Sequence, residues 1–264
     1  EVAYAGPLAV LVNRTSASAS EIFAGAIQDY QRGIVLGGQT FGKGTVQEII
    51  PMDYGQVKLT RSKFYRISGA STQHRGVVPD IQFPDFYDAY EDIGESSLDG
   101  ALPWDTVRPV EYRAYHSIQT MLPELQALHE ERVEASPDFI YLMDQIERTR
   151  ELREREQLSL NELVVKAQRE ESRRAEFDAE NMRRFLKGLS LREWVVESDE
   201  ESSEEEPTSP DNDDVSVADN DAETDAVEEE EGDPLLLESG RILADFIALD
   251  QRRVSSVDDI QTDR

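Results

Sequence analysis

The chain has 264 residues, no cysteine and a net charge of −29. Its acidity argues against nucleic-acid binding, because phosphates would repel it, and the lack of cysteine excludes disulfides and thiolate metal sites. No apolar run approaches the ~18 residues that a membrane span needs. The segment 197–233 holds 19 acidic residues and no Lys or Arg, which leaves only −10 for the rest of the chain.

The N-terminal region predicts the order strand, turn, helix, strand and glycine-rich loop. The apolar run 7–12 and the later run 34–36 are typical of buried strands, and the second leads into the glycine-rich stretch 37–44. Between them, residues 21–30 predict a helix. Its expected apolar face consists of Ile22, Phe23, Ala26, Ile27 and Tyr30.

This order can bring a serine at a helix N-terminus close to Lys43. A serine hydroxyl needs a base to act as a nucleophile, and a lysine can serve when burial favours its neutral form. The free N–H groups of the first helical turn can stabilise an oxyanion. The pattern alone leaves alternatives open, because Ser18 also fits the capping box of the helix and Lys43 could be a surface residue in a glycine loop.

Longer motifs strengthen the enzymatic interpretation. They are SASASEIF (16–23), QDY (28–30), TFGKGTVQ (40–47), KFYR (63–66), STQ (71–73), GVVPDI (76–81) and ALPWD (101–105). With these motifs the chain resembles the C-terminal processing peptidases, and specifically the tail-specific proteases of Gram-negative bacteria. The resemblance is close over residues 1 to about 105 and loose over the helical remainder.

The resemblance implies a Ser-Lys dyad in which Ser18 is the nucleophile and Lys43 is the base. It also implies that Gln47 supports the lysine. Lys43 and Gln47 are an even number of residues apart, so on one strand both side chains would face the same side. We therefore expect Gln47 to orient the lysine amine.

Two further residues are carried over from the same resemblance. Asp29 corresponds to an acidic residue that is functionally implicated in the family, although it also reads as a solvated carboxylate at the end of a helix. The backbone N–H of Ala19 is expected to donate to the oxyanion. The second donor of the family comes from a glycine segment that would precede residue 1.

The expected fold is α/β, a ClpP/crotonase-like half of a protease core, followed by an all-α C-terminal domain with a disordered acidic insert. The predicted divisions are the peptidase core at 1–83, a linker at 84–110 and helices at 111–196. The acidic insert follows at 197–233 and the final helix at 234–256. Residues 48–52 and 56–60 predict a hairpin, 63–67 a further strand and 71–76 a polar turn.

The chain lacks an initiator Met and a recognisable signal peptide. We therefore expect a C-terminal fragment that lacks the PDZ domain of the family. No cofactor is expected, and no metal, because His116 and His129 are isolated in the sequence. His74 is expected to be an exposed turn residue, and Trp104 to anchor the linker.

The expected function is a periplasmic serine endopeptidase that reads apolar C-terminal tails of protein substrates, with an adaptor lipoprotein as a further candidate partner. Two alternatives stay open. The chain could be a non-catalytic helical and acidic interaction scaffold with a vestigial dyad. It could also be a different acyl-transfer enzyme on a ClpP/crotonase-like body.

Overall fold

The computed structural model describes residues 3–90, 92–155, 157, 159–194 and 232–262. In chain order its strands and α-helices are β1 (Ala9–Val12), α1 (Ala19–Asp29), β2 (Ile34–Gly37), β3 (Thr45–Pro51), β4 (Gln56–Lys63), β5 (Ile81–Gln82), α2 (Ile118–Ala135), α3 (Pro137–Arg153), α4 (Glu162–Lys187) and α5 (Pro234–Thr262). Two short 3-10 helices span Phe86–Ala89 and Glu95–Ser97. The chain therefore combines a sheet-containing N-terminal part with a helical C-terminal part.

A parallel sheet with the strand order β1-β2-β5 lies at the centre of the molecule. Its middle strand, β2, is buried on both faces, as the continuous apolar run Ile34–Leu36 predicts for a parallel strand. On one face Val35 packs with Val12, Ala24 and Val77 beside α1. The sheet thus lies between α1 on one side and the C-terminal helices on the other.

The second face of the sheet shares one hydrophobic core with α2 and α5. Its buried members are Ile34, Leu36, Ile81, Phe83, Ile118, Met121, Leu125, Ile242, Phe246 and Leu249. Each fully buried Leu, Ile or Phe stabilises the fold by roughly 1.5–3 kcal/mol. The C-terminal helices therefore cover the sheet directly rather than packing around a separate core.

Strands β3 and β4 form an antiparallel hairpin that is exposed along nearly its whole length. The hairpin prediction is confirmed, and Gly55 at φ 86° supplies the left-handed turn conformation. The further strand predicted at 63–67 is wrong, because β4 ends at Lys63 and Tyr65 forms only an isolated bridge with Ser71. The chain turns there because Arg66 and Gly69 close a tight loop.

The segment 84–110, predicted as a linker, lies against the sheet-containing part. Ala70 and Thr106 form an isolated bridge, and the N–H of Val107 donates to the carbonyl of Gly69 at 2.8 Å. The guanidinium of Arg75 stacks over Trp104, 3.9 Å from the ring centroid. Trp104 therefore acts as an anchor for this segment.

Two local expectations are corrected by the structure. The buried face of α1 consists of Glu21, Ala24 and Gly25, whereas Ile22 and Phe23 are exposed. The predicted polar turn at 71–76 begins with three buried residues, because tertiary hydrogen bonds satisfy its polar groups. They are Ser71, Thr72 and Gln73.

The C-terminal helices also differ in detail from expectation. The run from Pro123 predicts the start of a helix, but α2 begins five residues earlier, at Ile118. The sequence also predicts an apolar stripe of Phe139, Leu142, Met143 and Ile146 on the next helix, and of these Met143 is exposed. The predicted acidic insert lies outside the described residues except for 232 and 233. Within the described residues, no helix is long and apolar enough to cross a membrane.

Candidate active site

Ser18 ends the turn between β1 and α1, which is called here the serine turn (residues 13–18). Its backbone has φ 57° and ψ −111°, whereas Ser16 and Ser20 have no positive φ. A residue with a side chain adopts this region at a cost of about 1–3 kcal/mol, and such residues cluster at functional sites. The strain therefore singles out Ser18 among the three serines of the run.

The carboxylate of Glu21 lies at the centre of the site and is fully buried. Its Oε2 accepts from the backbone N–H of Ser18 at 2.8 Å and from that of Lys43 at 2.9 Å. Its Oε1 accepts from the hydroxyl of Thr40 at 2.6 Å and from the N–H of Gly42 at 2.7 Å. One carboxylate therefore ties the serine turn to the segment that carries Lys43.

This arrangement brings Ser18 and Lys43 together although they are 25 positions apart in the sequence. Because one oxygen atom accepts both N–H groups, their nitrogens lie no farther apart than the two distances added together. The N–H of Phe41 also donates to the carbonyl of Ser16 at 3.0 Å. Lys43 is half-buried, and among the described residues its amine forms no ion pair.

The segment 40–44, called the lysine loop below, is held from its other side by residues 73 and 74. The N–H of Gly44 donates to Oε1 of Gln73 at 2.9 Å, and the N–H of His74 donates to the carbonyl of Gly42 at 2.7 Å. A Cβ at Gly44 would lie 2.5 Å from the backbone nitrogen of Gln73. Glycine is therefore required beside Lys43, which is itself half-buried.

Ala19 and Gln47 belong to the elements that follow the serine turn and the lysine loop in the chain, α1 and β3. Ala19 is the first residue of α1 and is exposed, so its N–H belongs to the helical turn whose donors lack intrahelical partners. Gln47 is exposed on β3. The strand alternation expected to align it with Lys43 does not apply, because β3 begins at Thr45 and its register shifts between Val46 and Gln47.

Asp29 lies at the far end of α1, about 15 Å along the helix axis from Ser18 at 1.5 Å per residue. Its side chain is 8% exposed and pairs with Arg66 through both oxygens, one of them at 3.0 Å from Nε. The hydroxyl of Ser68 donates to Asp29 at 3.1 Å. The alternative of a solvated carboxylate is therefore wrong, and the structure does not bring Asp29 to Ser18 and Lys43.

Comparison with known proteins identifies the family. Residues 89–248 match the family described as the C-terminal domain of tail specific protease (DUF3340), and residues 1–83 match Peptidase family S41. The first match alone covers more than half of the chain. The chain belongs to the tail-specific protease family.

Individual relatives agree with this assignment. The tail-specific protease of Haemophilus influenzae is 41% identical over 201 residues, which are 72% of this chain and 28% of that protein. The carboxy-terminal-processing protease of Bartonella bacilliformis is 48% identical over 100 residues, 36% of this chain and 23% of that protein. The chain thus spans about a quarter of the length of these relatives.

A solved structure, that of the photosystem II D1 C-terminal processing protease, is 44% identical. The match covers 30% of this chain and 21% of that chain, with a TM-score of 0.29. The sequence matches therefore carry the family assignment. The two family matches together place residues 1–83 in Peptidase family S41 and residues 89–248 in the C-terminal domain of tail specific protease.

Sequence reasoning missed two buried side chains of the site, Glu21 and Gln73. The capping-box pattern predicts only that Glu21 accepts from the N–H of Ser18. Glu21 does so in the structure. The signal that could have found its second role is an acidic residue on an expected buried helix face beside a loop rich in free N–H groups. Gln73 offered no comparable signal.

The remaining candidate features lie away from the dyad. A cavity of about 730 Å³ lies at the ends of β1 and β2, but its lining includes Ser16 and neither Ser18 nor Lys43. His129 is buried against Glu238, and His74 is exposed, as expected. Among the described residues, no group of three or more His, Asp or Glu side chains is arranged to hold a metal ion.

Proposed function

We propose that this chain carries the Ser-Lys dyad of a serine endopeptidase and forms the C-terminal portion of a longer protease. The observation that carries this proposal is the Glu21 carboxylate, whose Oε2 accepts from both Ser18 and Lys43. The strained backbone of Ser18 supports it independently. Both features fit a serine and a lysine that are held in a fixed mutual arrangement.

In the proposed reaction, Oγ of Ser18 attacks the scissile carbonyl carbon and the neutral amine of Lys43 takes the hydroxyl proton. The N–H of Ala19 donates to the resulting oxyanion. The Lys43 ammonium then gives its proton to the leaving amine nitrogen as the C–N bond breaks, which leaves an acyl-serine. Water, deprotonated by Lys43, hydrolyses this ester and frees Ser18.

The finer features of the proposal follow from the family resemblance. Gln47 orients the amine of Lys43, and a second oxyanion donor comes from residues outside this chain. The sheet-containing part belongs to a ClpP/crotonase-like core, and the C-terminal helices form an all-α domain. The protease acts in the periplasm on proteins with apolar C-terminal tails, with an adaptor lipoprotein as a candidate partner.

The test uses the full-length protein that contains this chain and a model substrate with an apolar C-terminal tail. Ser18→Ala is expected to lower kcat by at least about 1,000-fold, because the nucleophile is lost. The matched control is Ser20→Ala, which changes an exposed serine two residues away and should keep kcat within about 3-fold. A substrate with a charged tail should be cleaved much more slowly.

The role of Lys43 is tested by Lys43→Arg. Arginine keeps the positive charge and much of the length, but it cannot lose its proton in a protein. We therefore expect a loss as large as that of Ser18→Ala. Unchanged proteolysis in Lys43→Arg would contradict the role of Lys43 as the base. Unchanged proteolysis in Ser18→Ala would favour the alternative of a non-catalytic scaffold.

A further inference from the structure

Glu95, in the segment that follows the sheet-containing part, contacts the lysine loop directly through its backbone and indirectly through its carboxylate. Glu95 belongs to the residues 89–248 that match the C-terminal domain of tail specific protease. Its own N–H donates to the carbonyl of Phe41 at 2.9 Å, and it is only 9% exposed. A residue of the C-terminal domain therefore contacts the loop that carries Lys43.

The second contact runs through the amide of Gln73, which is fully buried. Its Nε2 donates to Oε1 of Glu95 at 2.8 Å, and its Oε1 accepts from the N–H of Gly44 at 2.9 Å. Only one orientation of the amide satisfies both neighbours, because a carboxylate needs a donor and an N–H needs an acceptor. Glu95 therefore fixes which way Gln73 faces, and through it the position of Gly44.

The two contacts bracket Lys43 in the sequence. Phe41 precedes it by two residues and Gly44 follows it directly, while Glu21 holds the N–H of Lys43 from the opposite side. Without the Glu95 carboxylate, Gln73 would lose the acceptor that sets the orientation of its amide, and the backbone N–H groups of His74 and Glu95 would be left to hold the lysine loop from this side. A misplacement of about 1 Å at a reacting group can cost about 100-fold in rate.

We propose that Glu95 is a positioning residue that acts through Gln73 to set the place of the Lys43 amine. The contact made by Glu95 thereby helps to hold the Lys43 amine in the position that it needs as the catalytic base. This inference rests on the proposed function, because it requires Lys43 to be the base. It adds that the segment 84–110 contributes to catalysis through the hydrogen bond between Glu95 and Gln73.

The decisive experiment exchanges the two side chains in the full-length protein. Gln73→Glu places two carboxylates against each other, so kcat for a tailed substrate should fall about 100-fold while KM changes less than about 3-fold. Adding Glu95→Gln restores the hydrogen bond between positions 73 and 95 with donor and acceptor reversed, while the carboxylate at position 73 still accepts from the N–H of Gly44. The double variant should therefore recover kcat to within about 10-fold of wild type.

Two single variants at position 95 keep the test independent of the folding of Gln73→Glu. Glu95→Gln keeps an acceptor for Gln73 and should lower kcat less than about 3-fold, whereas Glu95→Ala removes it and should lower kcat about 10- to 100-fold. The matched control is Glu111→Gln, an exposed glutamate just beyond the segment 84–110. It should leave kcat unchanged.

The outcomes separate this inference from the proposed function. If Ser18→Ala is inactive but Glu95→Ala and Gln73→Glu keep wild-type kcat, the positioning role is overturned and the dyad stands. A double variant no more active than Gln73→Glu would also overturn it. If Ser18→Ala itself keeps its activity, the proposed function fails, whatever the variants at positions 73 and 95 show.

Discussion

Two buried glutamates organise the two halves of the molecule in different ways. Glu21, in the sheet-containing part, accepts only from uncharged donors, three backbone N–H groups and the hydroxyl of Thr40. Glu238, on α5, is 1% exposed and accepts from the guanidinium of Arg132 and lies 3.0 Å from Nδ1 of His129 on α2. Arg132 also forms an ion pair with Asp245.

The difference teaches what each carboxylate does. Neutral backbone donors have fixed positions, so Glu21 determines the local path of the serine turn and the lysine loop. The side-chain donors Arg132 and His129 belong to α2, whereas Glu238 belongs to α5, so Glu238 joins the two helices over their shared core. We therefore expect Glu21 to affect geometry and stability together, and Glu238 to affect stability in a way that depends on pH.

The largest expected effect is that of Glu21→Ala. It leaves four buried donors without an acceptor, at about 1–3 kcal/mol each where water cannot replace the carboxylate. We expect the free energy of unfolding to fall by about 4 kcal/mol or more. Chemical denaturation of the chain measures this change.

Glu48→Ala is the matched control for that variant. Glu48 is exposed on β3 and pairs only with the exposed Arg61, so its loss should cost less than about 1 kcal/mol. A Glu21→Ala variant as stable as Glu48→Ala would show that the Glu21 network does not hold the two loops together.

The second effect is that of Glu238→Ala on the helical half. The change leaves Arg132 and His129 without their shared partner in a buried place, and breaking such a pair costs about 3 kcal/mol. Because Arg132 keeps Asp245, we expect a smaller loss than for Glu21→Ala. Unfolding midpoints of both variants, measured side by side, give the order, and a reversed order would contradict it.

Acid should reveal Glu238 separately. Burial alone raises the pKa of its carboxyl, but the hydrogen bonds from Arg132 and His129 outweigh burial and lower that pKa below its ordinary value. A carboxyl with a lowered pKa in the folded state contributes stability above its unfolded pKa of about 4.3 and loses it as the pH falls through the folded pKa. Wild type should therefore lose stability below about pH 4.3 more steeply than Glu238→Gln.

Asp138 provides the internal check of this pH experiment. Burial raises the pKa of the Asp138 carboxyl, but the hydrogen bonds from Lys187 and Arg183 outweigh burial and lower that pKa below its ordinary value. The stability that Asp138 contributes is therefore lost in the same acidic range. It is present in both proteins and cancels from the difference between them. Parallel stability curves for wild type and Glu238→Gln from pH 5 to 3 would contradict the assigned role of Glu238.

The sequence predicted what depends on local pattern. The order of β1, α1 and β2 follows from short apolar runs and one helical segment, and the hairpin follows from two strands around Gly55. The proposal of Ser18 and Lys43 as site residues depends on motifs that are long and specific. Each of these inferences used residues close together in the chain.

What the sequence did not predict depends on contacts between distant segments. The buried face of α1 was misassigned because Glu21 packs against the lysine loop and Gly25 lies under Arg66, with a Cβ there only 3.3 Å from Nε. The apolar side chains of α1 cannot occupy this face, because the contact with the lysine loop needs a carboxylate and the contact with Arg66 needs a small residue. Gln73 likewise became buried only through Gly44 and Glu95, which lie 29 and 22 positions away.

The smallest effect concerns Asp29, whose side chain resembles Glu238 in pairing with an arginine. We expect Asp29→Ala and Arg66→Ala to be strongly non-additive in stability, with a coupling of about 1–2 kcal/mol, because each removes the same pair. If Asp29 acts only through Arg66, both single variants of the full-length protein should lose activity to the same degree. The double variant should then lose no more. If Asp29→Ala is inactive while Arg66→Ala is active, Asp29 has a role of its own. Because Asp29 lies about 15 Å along α1 from Ser18, that role would have to act through another residue.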